Sequence, residues 1–178
     1  MTETRARQAA HSGLAAGILA TVRACWGAGA SGSMGPILGP GDRVLIAPVA
    51  AGDYRVGDLV AVERHGAVVV HRVVRRAPAG CWTRGDAVTT LDPFVPNETI
   101  LGRAVALDVA GGRIILLDRG PWRTLCAVLG RASRLGALSA RLPRVWPRRL
   151  AWRASRTPFY AVALGVRRSG RRPRGVIA

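Results

Sequence analysis

From Arg43 to Asp118 the apolar residues come in short runs closed by glycine, proline or aspartate, and this punctuation limits the fold more than any other feature. "RVLIAPV" (43–49), "GDLVAVE" (57–63) and "AVVVHRVV" (67–74) are too short for typical helices and rich in β-branched valine. Each is predicted to be a strand. "HG" at 65–66 turns the second of these into the third. "CWTRGD" (81–86) predicts a further short strand, and "LDPFVPN" (91–97) a proline-bearing loop. "ILGRAVALDV" (100–109) and "RIILLD" (113–118) flank "AGG" (110–112) and carry the strongest hairpin signal. Residues 31–118 are therefore expected to be all-β and compact. Gly-Asp occurs beside a strand at 41–42, 57–58 and 85–86. Turn chemistry accounts for the first two pairs; the third is a candidate for more.

The flanks read differently. Residues 4–25 space Leu14, Ile18, Val22 and Cys25 as a helix does. Within them "SGLAAGILATV" (12–22) would rise only about 16 Å as helix, roughly half a bilayer core. A cleavable leader is one reading of this stretch, but Arg23 sits badly for it, and an interfacial or core-packed helix fits better. Beyond Pro121, residues 122–142 set Leu125, Leu129, Leu135, Leu138 and Leu142 among arginines, as an amphipathic helix would. Three parts follow: an N-terminal helix (1–28), a β-rich domain (29–120) and a basic helical extension with a polar tail (121–178).

Charge is segregated along the chain. Residues 1–120 hold 13 arginines against 10 acids, whereas residues 121–178 hold 14 arginines and no acid. A block of one sign seeks an anionic partner or stays solvated. With Trp146 and Trp152 among its arginines, the extension suits an anionic membrane surface. Nucleic acid is not expected, because no helix-turn-helix or zinc pattern accompanies the charge. The expected location is accordingly at a membrane surface, held peripherally, or in the cytoplasm. Cys25, Cys81 and Cys126 are odd in number, lie far apart and form no CxxC or Cys/His cluster, which argues against a disulfide framework or a zinc site.

Chemistry is concentrated in "SGSMGPILGPGD" (31–42). A serine becomes a useful nucleophile only beside a general base. The chain contains no lysine, so a Ser-Lys pair is excluded, and histidine is the remaining choice. His11 falls in the N-terminal helix and His65 in a predicted turn, while His71 sits inside "VVVHRVV". Partial desolvation there favours the neutral, proton-accepting imidazole.

Taken together, "SGSMGPILGPGDRVLI", "GDLVAV", "VVVHRVVRR" and "WTRGDAVTTLD" resemble, over residues 31–105, the type I signal peptidase family. That family belongs to the wider group that includes the LexA-like self-cleaving proteases. The resemblance implies a small antiparallel β fold, a peptide substrate, and serine endopeptidase activity after small residues, without a cofactor. It places Ser33 as nucleophile and Ser31 as a hydroxyl aiding the oxyanion hole beside the Ser33 backbone N–H. His71 matches the base of the histidine-using branch, the endoplasmic-reticulum and SipW-like enzymes. Asp86 matches the aspartate of the Gly-Asp box and Asp92 the acid that supports the histidine, and one or the other is expected to orient the imidazole and stabilise its cation. Met34 and Ile37 are expected to line shallow substrate pockets. Ala87 stands where the box usually has asparagine, and the apolar stretch ahead of Ser33 is shorter than the family's usual anchor. Two other readings are a relative that keeps the fold as a peptide-binding module without turnover, and a membrane-surface or nucleic-acid-binding protein led by its basic extension. Self-cleavage is not expected, since neither a DNA-binding helix pair nor a lysine base is present.

Overall fold

The computed structural model describes residues 24–28, 32–64, 66–109 and 113–139 and the single positions 161 and 165. The strands are β1 (Cys25–Ala28), β2 (Arg43–Ala47), β3 (Leu59–Arg64), β4 (Ala67–Ala77), β5 (Gly80–Arg84), β6 (Phe94–Pro96), β7 (Ile100–Val109) and β8 (Arg113–Leu116). One long helix, α1 (Gly120–Ser139), follows them. The strands pair antiparallel in a curled sheet ordered β1-β2-β7-β3-β4-β5-β6, with β8 also on β7. The mainly β class and both expected hairpins, β3–β4 and β7–β8, are present.

Pairing register shifts between Leu45 and Ile46, between Ala61 and Val62, and between Val73 and Arg75. Each irregularity adds local twist and helps the sheet curl. Strand β3 explains the unbroken run "LVAV". Leu59 and Ala61 join a larger apolar cluster, while Val60 and Val62 join a smaller one with Tyr54, Val73 and Cys81. A strand buried on both faces does not alternate apolar with polar.

Two expectations need correction. Cys25, placed by its spacing at the end of the N-terminal helix, instead begins a strand, Cys25–Ala28, hydrogen-bonded to β2 with Cys25 opposite Ile46. Pairing with a waiting strand edge outweighs a weak local helical preference. Residues 1–23, which carry the rest of that expectation, lie outside the described residues. The second correction is β6, which falls inside the expected loop 91–97 and pairs with β5, Phe94 opposite Trp82. Proline is tolerated there because β6 ends the sheet order and leaves one side without a ladder.

Helix α1 begins with Pro121 in its first turn, where a missing N–H costs nothing. Cys126 and Leu129 are buried in the larger cluster, and Trp122, Leu125 and Ala132 pack against it from one face. Residues Arg123, Arg131 and Arg134 lie exposed. Over this span the apolar stripe is spent on the sheet, so residue 120 is not a boundary of packing. The crossing is close. A Cβ on Gly57, whose φ is +101°, would strike the Cys126 carbonyl, and one on Gly130 would lie 2.6 Å from the Gly57 backbone. Glycine at both positions lets helix and turn touch through their main chains. Among the described residues no helix is long and apolar enough to cross a membrane. Leu142, Trp146, Trp152 and the basic tail lie outside them.

Candidate active site

Ser33 sits in a single 3-10 turn, Gly32–Met34, ahead of β2. The loop is closed by bonds from Gly35 N–H to Gly32 O and from Ile37 N–H to Met34 O, both 3.1 Å. From across the sheet, the Ala87 N–H donates to the Ser33 carbonyl at 2.8 Å, pinning the turn to the segment after β5. Gly85 lies directly beneath: a Cβ there would approach the Ser33 carbonyl oxygen to 2.6 Å and His71 Nε2 to 3.2 Å. Only glycine leaves room for serine and imidazole together.

His71 lies on β4 opposite Val60 of β3 and is largely buried. Its Nε2 is 3.1 Å from Ser33 Oγ, and its Nδ1 is 2.7 Å from Asp92 Oδ2. Thr83 Oγ1 donates to the same Oδ2 at 2.6 Å. Arg64 Nη1 reaches Asp92 Oδ1 at 3.0 Å. Burial works to raise the Asp92 carboxyl, but the hydrogen bonds from His71 and Thr83 and the charges of His71 and Arg64 together hold it below the usual carboxylate value. An ionised carboxylate has no proton to donate, so the hydrogen between Nδ1 and Oδ2 belongs to the imidazole. Nε2 then presents its lone pair to the Ser33 hydroxyl. Ser33, His71 and Asp92 thus form a continuous chain of contacts, 38 and 21 residues apart in the sequence.

The depressed Asp92 value has a consequence for stability. A carboxyl that binds its proton less tightly folded than unfolded stabilises the fold above its unfolded value, near 3.8, and this contribution is lost as pH falls through the lower folded value. Asp92→Asn is therefore expected to show a flatter loss of stability on acidification below about pH 4 than the wild type. Urea midpoints measured along a pH series check this.

Asp86 does not reach the imidazole. Its two oxygens accept a forked pair of bonds from Arg72, Nε to Oδ1 at 2.8 Å and Nη2 to Oδ2 at 2.6 Å. Arg72 also donates to the Gly57 carbonyl at 2.7 Å. Both side chains are essentially excluded from solvent. Burial opposes the guanidinium charge, but the charge of Asp86 and its hydrogen bond make Arg72 hold its proton more firmly than usual. Asp86 thus braces, from behind, the turn whose next residue bonds Ser33. The first two Gly-Asp pairs do the expected turn work: Asp42 accepts from Gly39 N–H and Asp58 from Arg55 N–H, each at 2.8 Å.

Met34 and Ile37 depart from expectation. At 2% and 6% exposure they belong to the larger core cluster rather than to the wall of an open pocket. Their spacing in a glycine-rich loop hides that the 3-10 turn and the bend after it, closed by Ile37 N–H to Met34 O, bury both. Ser31, His11 and His65 lie outside the described residues. Thr83 and Arg64 escaped the sequence reading. Thr83 stands beside the Gly-Asp box and carries a weak signal; Arg64, at the end of β3, carries none. Arg72 had a legible one, since an arginine within a valine run needs a buried acid. Cys81 and Cys126 are buried free thiols, and burial pushes both above the ordinary thiol value. Among the described residues no three histidine, cysteine or acidic side chains gather as a metal site would require. Compared with protein-family models, with curated proteins and with solved structures, the chain matches none.

Proposed function

We propose that the protein is a serine endopeptidase of the signal-peptidase-like type, acting through Ser33, His71 and Asp92. The observation that carries this reading is the continuous line from Ser33 Oγ through His71 to Asp92, at 3.1 and 2.7 Å. His71 Nε2 takes the hydroxyl proton as Ser33 Oγ attacks a peptide carbonyl, and Asp92 steadies the imidazolium that forms. The imidazolium returns that proton to the leaving amine as the C–N bond breaks, leaving an ester on Ser33. Water, deprotonated by the same imidazole, adds to the ester carbonyl, and the proton passes to Ser33 Oγ as the C–Oγ bond breaks and the acid product leaves. The Ser33 N–H, with the Ser31 hydroxyl as helper, would meet the developing oxyanion. Ser33 is partly exposed, as a nucleophile must be. A substrate backbone would be held as an added strand, which tolerates many side chains. The preference for small residues comes from the family resemblance.

The membrane-surface reading of residues 121–178 now rests on the exposed arginines of α1 and on the residues beyond it. The test is direct. Wild-type protein is incubated with peptides bearing small residues at the first and third positions before the cut, with and without anionic vesicles. Cleavage after a small residue, seen by mass spectrometry, supports the reading. No cleavage under either condition counts against it and favours the binding-module alternative.

A further inference from the structure

The Asp92 carboxylate is held from more sides than orientation of one imidazole requires. Oδ2 takes His71 Nδ1 and Thr83 Oγ1, at 2.7 and 2.6 Å. Oδ1 is left to Arg64 Nη1 at 3.0 Å, and Arg64 Nη2 lies 3.4 Å from the carbonyl of the neighbouring Pro93. One guanidinium therefore spans the carboxylate and the backbone just after it. Rotating Asp92 away from His71 would break the Arg64 contact as well. Three strands contribute: Arg64 from β3, His71 from β4 and Thr83 from β5.

We propose that Arg64 is a positioning residue of this site, which locks Asp92 in the orientation His71 needs and moderates how strongly the Asp92–His71 pair holds a proton. The proposal rests on the peptidase reading and refines it. The charged and titratable groups facing Asp92 are Arg64, His71 and the Cys81 thiol, which burial keeps neutral. Arg64 is the permanent cation among them. A carboxylate partly neutralised by Arg64 stabilises the imidazolium less than a lone carboxylate would. Since the reaction starts from neutral His71, Arg64 extends the working range toward lower pH. Its side chain is 24% exposed and borders an open groove of about 540 Å³ between β3 and β6, so shortening it opens no sealed cavity.

The experiment compares wild type, Arg64→Gln and Arg64→Lys in peptide cleavage across pH, with thermal melts on each. Arg64→Gln is expected to lower kcat about 10- to 100-fold with KM little changed, and to move the acidic limb up by about half to one pH unit. Arg64→Lys should return the limb toward wild type while recovering only part of kcat, because an ammonium lacks the forked geometry. A second readout needs no turnover: the imidazole ¹⁵N signals of His71 titrate at higher pH in Arg64→Gln than in wild type. An Arg64→Gln protein with wild-type limb and wild-type titration overturns the proposal. If wild type cleaves nothing but the titration still moves, the peptidase reading falls and the electrostatic role of Arg64 is upheld.

Discussion

Ser33→Ala is expected to lower peptide cleavage by about five to six orders of magnitude, and His71→Ala by a similar factor. Ser33→Ala removes one partly exposed hydroxyl and should melt near the wild-type temperature, whereas His71→Ala empties a largely buried site and removes a bond to Asp92, so a lower melting temperature is expected and its cleavage is measured well below that temperature. The combined variant is the more telling measurement. Ser33 and His71 are joined by one 3.1 Å contact and, in the proposed mechanism, act as a unit, so losing both should cost little more than losing either. Additive losses would instead mean two independent roles, which this geometry does not support. Steady-state cleavage assays at high enzyme concentration, with mass-spectrometric detection, cover the range. If Ser33→Ala retains wild-type cleavage, the nucleophile lies elsewhere.

The largest effect on stability is expected at Asp86. Asp86→Ala leaves the Arg72 guanidinium, 1% exposed, without the carboxylate that forks onto it. Removing one partner of such a buried pair destabilises by about 3–5 kcal/mol, because the remaining charge is stranded in a poorly polarisable interior. The loss should appear as a lower urea midpoint at unchanged slope. Replacing both partners with apolar side chains, Arg72→Met with Asp86→Leu, should recover much of it, because no isolated charge then remains. Activity is expected to suffer beyond stability in both variants. Asp86 is flanked by Gly85, which floors the site, and by Ala87, which bonds the Ser33 carbonyl.

Much of the architecture was legible in advance because it is local. Valine-rich runs closed by glycine and proline set β2, β3, β4 and the β7–β8 hairpin, and the Leu125–Leu129 spacing set α1. Elements whose existence depends on a distant partner were not legible. Cys25–Ala28 is a strand only because β2 offers it an edge, and Phe94–Pro96 only because β5 does. The two acids near the candidate site divide along the same line. The family resemblance singled out Asp86 and Asp92 together as candidates to orient His71. The register of β4 separates them, because residues 71 and 72 point to opposite faces of a strand. His71 turns toward Asp92, and Arg72 turns toward Asp86 and Gly57.

By itself, then, the sequence determined the residue types available for chemistry: serine without lysine, and one histidine inside an apolar strand. It also determined the β character of the segment that carries them, since β-branched runs and turn chemistry act between near neighbours. Which acid contacts the imidazole, what holds that acid, and whether Met34 and Ile37 are exposed or in the core were decided by the tertiary structure. Those outcomes depend on contacts between residues tens of positions apart, where a bulge of one residue or the roll of a single turn changes which side chains meet.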